Sequence, residues 1–105
     1  DPHGRRILIV GALGGRDISD TLSALKVDEF DVVICCTAPS PRARQGREIA
    51  TVAEQMGCTN VSSADSVERA CDMALADAGS DDAILVAGSL YVVGAARTHL
   101  RRVLP

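Results

Sequence analysis

Histidine and lysine are nearly missing from this sequence. The two histidines, His3 and His99, stand at opposite ends of a 105-residue chain, and Lys26 is its one lysine. Without a second lysine beside glycine and Ser or Thr, there is no Gly-x-x-x-x-Gly-Lys-Ser/Thr loop to cradle nucleotide phosphates. The four cysteines, Cys35, Cys36, Cys58 and Cys71, form no Cys-x-x-Cys pair. Cys35 and Cys36 are adjacent in an apolar run, where neighbouring side chains point to opposite faces of a sheet. That arrangement suits packing and argues against a zinc site or a disulfide framework. Positive charge is not in excess: the formal net charge is -3, so no global field invites nucleic acid. No apolar run approaches the roughly 20 residues that span a bilayer, and no signal-peptide pattern opens the chain. The expected compartment is the cytoplasm.

What the sequence does contain is a hydrophobic fraction of 47% against 24% charged, enough to build one core and too apolar for disorder. The apolar residues come in a regular alternation of two periods. "RRILIVGAL" is a β-branched run ending in glycine, the pattern of a strand covered on both faces. Ile18, Thr21, Leu22 and Leu25 then fall at helical spacing behind Asp17, an N-cap residue type. "DVVICCT" repeats the buried-strand pattern. It is followed by a helical stripe of Ile49, Val52, Ala53 and Met56, closed by Gly57. "NVSSA" is a short third strand. Val67, Ala70, Cys71, Ala74, Leu75 and Ala78 predict the clearest helix, with Asp65 and Glu68 spaced as a capping box and Gly79 as the stop. "AILVAGS" is the fourth strand, again a run of buried-strand character. A last helix is expected from about Tyr91 to Leu104, with Val93, Ala96, Leu100 and Val103 inward and Arg97, Arg101 and Arg102 outward.

Four strand-then-helix units in series predict a Rossmann-like, doubly wound α/β domain, a mainly parallel sheet with helices on both faces. In such a sheet the four strand-to-helix loops lie along one edge, where ligands bind. The candidate site is therefore built from "GALGGRD", "TAPSPR", "SSAD" and "AGSLY". The glycines at 11, 14 and 15 do not have the dinucleotide spacing Gly-x-Gly-x-x-Gly. Gly14-Gly15 either makes a turn or frees backbone N–H groups which, with Arg16, face an anion. In "AGSLY" the glycine allows a sharp turn: either that turn is all, with Tyr91 packed as a surface plug, or the Ser89 hydroxyl and nearby N–H groups meet a carboxylate or phosphate at the helix start. Catalysis by this stretch alone is not expected: His99 falls on the last helix, away from the loop edge, so no Ser-His-Asp or Cys-His set is supported. A response-regulator receiver is also excluded, because Asp17 stands without clustered carboxylates and no lysine follows the last strand.

"ILVAGSLYVVGAAR" resembles the terminal signature of the folylpolyglutamate synthase/dihydrofolate synthase family, in the Mur ligase superfamily. "ILIVGALGGRDISDTLSAL" and "SPRA" fit the same family in the right order, so the likeness runs from about Arg5 to Val103. It implies a C-terminal, amino-acid-binding domain spanning residues 1–105, a fragment of an ATP-dependent amide ligase. In the family's reaction ATP phosphorylates a folate or dihydropteroate carboxyl group, and the amine of L-glutamate attacks the acyl phosphate. By resemblance, Arg16, Asp17, Gly88, Ser89 and Leu90 sit on the glutamate side. Arg42 and Tyr91 face the N-terminal P-loop ATPase domain, which binds ATP and magnesium.

Three departures from the family shape that expectation. Arginine stands at 16 where the family has lysine, and the two are not interchangeable at a tight site. "DPHG" keeps only the Asp and the His of an Asp-x-Ala-His-Asn opening, so the first strand and helix of the domain are expected to be missing. The ATPase domain is absent too, so the fragment alone is expected to be inactive. The alternative reading is a standalone Rossmann-like module that binds a small anion or nucleotide without catalysis.

Overall fold

The computed structural model describes residues 4–105. Asp1 and His3, the remnant of the family's opening motif, lie outside the described residues. Four strands alternate with four helices: β1 Arg6–Val10, α1 Ile18–Ala24, β2 Val32–Cys36, α2 Gly46–Gln55, β3 Val61–Ala64, α3 Val67–Asp77, β4 Ala83–Ala87 and α4 Leu90–Val103. All four strands are parallel, in the order β3-β2-β1-β4. The alternation read from the sequence is thus the architecture of the chain, and every strand-to-helix loop opens on the same edge.

Period-two alternation splits the core. Leu8, Val10, Val33 and Cys35 pack with Ile18 and Leu22 of α1 and Ile49 and Ala53 of α2. Ile7, Ile9, Ile34 and Cys36 pack with Val67, Ala70, Cys71 and Ala74 of α3 and Val92 and Ala96 of α4. Cys35 and Cys36 therefore serve opposite faces, as their adjacency requires. Fully burying one such aliphatic side chain contributes about 1.5–3 kcal/mol, so the two layers together carry the fold. The chain leaves β1 in one direction through α1 and α2, then α3 carries it back across the other face to β4. This reversal at β1 is what makes the sheet doubly wound.

Three expectations need correction. The N-cap of α3 is Ser66, not Asp65: Ser66 Oγ accepts from the Arg69 N–H at 3.0 Å. A cap must immediately precede the first helical residue, and Asp65 is one residue too early to reach that N–H. The helix α4 starts at Leu90 and turns Val92 and Ala96 inward, leaving Val93 and Val103 exposed by 42% and 46%. Val92 docks on the end of β1, where Cγ2 would lie 2.6 Å from a Cβ at Gly11. That contact sets the rotation of the whole helix. Lastly, β4 is an edge strand covered on one face, and Leu85 is 49% exposed. No described helix covers it on the face that α1 and α2 occupy over β1, β2 and β3.

Candidate functional site

Strand order decides where the site lies. The connections diverge from β1, so the crevice opens between the loop after β1 and the loop after β4, which flank the reversal. There the chain makes a crevice of about 870 Å³, lined by Gly11 to Asp17, by Asp20, Thr21 and Ala24 of α1 with Leu25 at its end, and by Arg42, Gly88 and Ser89. Gly88 has φ +129°, and a Cβ there would collide with the Gly11 carbonyl oxygen. This glycine contact lets the first and fourth loops meet without side chains between them.

The first and second loops are tied by backbone. The Gly14 N–H donates to the Arg42 carbonyl at 2.7 Å, and the Arg44 N–H donates to the Ala12 carbonyl at 2.9 Å. Leu13 and Ala43 form the antiparallel bridge between these bonds. A proline-shaped loop after β2 thereby becomes a wall of the crevice.

The polar side chains divide by how far they are committed. Asp17 caps α1, accepting from the Ser19 N–H at 2.8 Å and the Ser19 hydroxyl at 2.5 Å. Those donors, the hydroxyl foremost, hold its carboxyl below the ordinary range. Ser89 caps α4 loosely, with Oγ 3.4 Å from the Val92 nitrogen. A bond of that length is weak, so the hydroxyl keeps capacity for a ligand. Arg16 and Arg42 form no ion pair among the described residues. Two unpaired guanidiniums beside a serine and exposed backbone make a site for an anion, above all a carboxylate or phosphate.

Of the residues singled out from the sequence, Arg16, Asp17, Arg42, Gly88 and Ser89 come together in this crevice. Leu90 and Tyr91 do not line it: Leu90 projects into solvent at 91% exposure and Tyr91 is half exposed. Of "SSAD", expected as a loop, Ser62, Ser63 and Ala64 belong to β3 itself at the far edge of the sheet and only Asp65 follows it; none of them lines the crevice. Sequence reading missed Asp20 and Ala24, and took Thr21 and Leu25 for the inward stripe of the helix. Their signal was present, since 17, 20, 21 and 24 repeat at helical spacing on the face of α1 turned away from Ile18 and Leu22.

Comparison with known proteins agrees with this fold. Residues 1–90 match the family described as Mur ligase, glutamate ligase domain. The chain belongs to that family. The domain is 36% identical over 100 residues to a probable bifunctional folylpolyglutamate synthase/dihydropteroate synthase of Halobacterium salinarum, covering 95% of this chain and 12% of that protein. It is 37% identical over 93 residues to the dihydrofolate synthase/folylpolyglutamate synthase of Escherichia coli, covering 87% of this chain and 20% of that protein. A solved structure of E. coli FolC in complex with DHPP and ADP superposes with a TM-score of 0.81 at 31% identity, over 94% of this chain and 22% of that one. The glutamate ligase domain described here thus spans at most about a fifth of the length of these curated relatives.

Among the described residues no three His, Cys, Asp or Glu side chains gather to hold a metal ion, and Lys26 is not a crevice residue. Nor is any described helix long and apolar enough to cross a membrane.

Proposed function

We propose that this chain is the amino-acid side of an ATP-dependent folate–glutamate ligase, a fragment that is inactive alone. In the whole enzyme a P-loop ATPase domain, absent here, holds ATP and magnesium and phosphorylates a folate or dihydropteroate carboxylate. The glutamate amine then attacks the acyl carbon, the amide bond forms, and phosphate leaves. The glutamate ligase domain contributes positioning. It fixes an anionic amino acid so that its amine meets the acyl phosphate, which turns a bimolecular encounter into an oriented one.

The observation that carries this reading is the crevice at the sheet reversal, where Arg16 and Ser89 stand uncommitted or nearly so in a chain of the glutamate ligase family. Arg16 pairs with a glutamate carboxylate through its planar fork. Ser89 and the backbone at Gly88 and Leu90 contact the same substrate from α4. Asp17 holds the turn that presents Arg16, because its carboxylate is taken up by Ser19. Tyr91, half exposed on the first turn of α4, faces the ATPase domain. We place the enzyme in the cytoplasm, in keeping with four cysteines that are all free.

The test is kinetic, in the complete ligase. Arg16→Ala and Ser89→Ala should each raise KM for L-glutamate by about tenfold or more, the worth of one charge-assisted hydrogen bond, while KM for ATP stays within about twofold. Unchanged glutamate dependence in both variants rejects the assignment.

A further inference from the structure

Among the described residues one buried side-chain nitrogen or oxygen lacks a hydrogen-bond partner, and it is Nε of Arg44. Buried donors in folded proteins are nearly always paired, so this one calls for an acceptor. The guanidinium is engaged elsewhere: Nη1 pairs with Glu48 Oε2, in the first turn of α2, at 3.1 Å. The backbone is engaged too, since the Arg44 N–H donates to the Ala12 carbonyl of the first loop at 2.9 Å. Arg44 therefore stands where the first loop meets the start of α2, with its Nε–H unused.

The start of α2 is firmly seated. A Cβ at Gly46 would lie 2.5 Å from the Cys35 carbonyl oxygen and 2.8 Å from that of Ala64, so the helix is pressed against the ends of β2 and β3. The Gly46 N–H also donates to Thr37 Oγ1 at 2.9 Å. The first loop is the adaptable partner, because its Gly14-Gly15 turn has no side chains to hold it and Gly15 takes φ +93°. Asp17 ends that loop. The Ser19 hydroxyl foremost, then the Ser19 and Asp20 N–H groups and last the Arg44 charge hold its carboxyl below the ordinary range. Both hydrogen bonds from Ser19 end on Oδ1, so Oδ2 keeps acceptor capacity. An anion drawn to Arg16 stands beside the next residue, Asp17, and repels its carboxylate. Arg44 is the cation whose charge that carboxylate already feels.

Resting on the glutamate reading above, we propose that Arg44 is a positioning residue: when the anionic amino acid enters the crevice, Asp17 turns Oδ2 to Arg44 Nε and accepts its hydrogen bond. The turn that presents Arg16 is then fixed to the seated end of α2, and the buried donor gains its partner on binding. Arg44 does not line the crevice, so it acts on the substrate through Asp17 alone.

The experiment is a titration of the 15N-labelled 105-residue chain with L-glutamate, followed by NMR at the Arg44 Nε–H, which is assigned by its loss in Arg44→Lys. Lysine keeps a cation beside Glu48 but has no donor at that position. Asp17→Asn keeps the Ser19 cap through Oδ1 and puts a donor in place of Oδ2. L-glutamate is expected to move the Nε–H downfield and slow its exchange with water, in step with shifts of the Gly88 and Ser89 amides. Each variant should weaken glutamate binding by about three- to tenfold, the worth of one hydrogen bond. The double variant should weaken it no further, because both changes remove the same bond. An Nε–H that stays in place while Gly88 and Ser89 respond overturns the role of Arg44 and spares the glutamate reading. Losses that add in the double variant do the same, because they give Asp17 a contact independent of Arg44. Gly88 and Ser89 amides that ignore L-glutamate in the unmodified chain remove the glutamate reading and the inference with it.

Discussion

Gly88 faces the carbonyl oxygen of Gly11 across the top of β4 and β1, with no room for a Cβ between them. This contact closes the floor of the crevice, because the two loops that flank the sheet reversal meet through backbone alone. Its energetics can be separated from those of an ordinary glycine. Gly88→Ala forces φ +129° on an L side chain as well as the collision, and should destabilise the chain by about 1–3 kcal/mol or more. Gly94 of α4, where a Cβ would meet nothing within 4 Å, is the control. Gly94→Ala should stabilise by roughly 0.5–1 kcal/mol. Urea unfolding of the two variants checks the opposite signs, and equal effects would refute the role given to the Gly11–Gly88 contact.

Leu8 and Leu85 are register partners on the same face of the sheet, yet one is fully buried and the other 49% exposed. Leu8→Ala should cost about 2–5 kcal/mol, as for other fully enclosed leucines. Leu85→Ala should cost less than about 1 kcal/mol, since half the side chain already meets water. Denaturation midpoints of the two variants measure the gap. Similar losses would mean that β4 is covered in solution.

Asp82 ties the start of β1 to the turn before β4. It accepts from the Gly79 N–H at 2.8 Å, the Arg5 N–H at 2.7 Å and the Arg5 guanidinium at 2.9 Å. These donors, the Gly79 N–H foremost, hold its carboxyl well below the usual carboxylate range. A depressed folded pKa stabilises the fold fully above the unfolded value, about 3.9, and that contribution fades as pH falls from there toward the folded value. The stability difference between the unmodified chain and Asp82→Asn should therefore be full at neutral pH and shrink below about pH 4. Unfolding curves across that range provide the check, and a difference independent of pH contradicts the ionic clamp.

Much of the fold was legible because its signals are local. The run "RILIV" shows no polar alternation since it is buried on both faces, and Asp17 reads as a cap because its carboxylate needs only the N–H two residues on. Where reading failed, a distant contact had overruled a local preference. On α4, Ala96 and Leu100 pack inward as expected, but Val93 was taken for the inward valine because Val92 is chosen by the space above Gly11, 81 positions away in sequence. Leu85 looked buried because a hydrophobic strand has the same composition at an edge as at the centre of a sheet. Arg16 and Ser89, singled out from their loops, do line the crevice, but Asp20 was passed over and Thr21 was counted with the inward stripe, because only the assembled crevice brings the polar side of α1 to it.

The amino-acid sequence by itself determined the alternation of strands and helices, the parallel sheet and the edge on which the strand-to-helix loops open, since each follows from periodicity and from the reach of a few bonds. Tertiary structure alone decided that the first and fourth loops share one crevice, that the third is excluded from it, and that Arg42 joins Arg16 there. Strand order makes those choices, and strand order comes from which apolar faces and glycine gaps fit one another across the sheet. That complementarity is a property of surfaces in three dimensions, and no spacing along the chain records it.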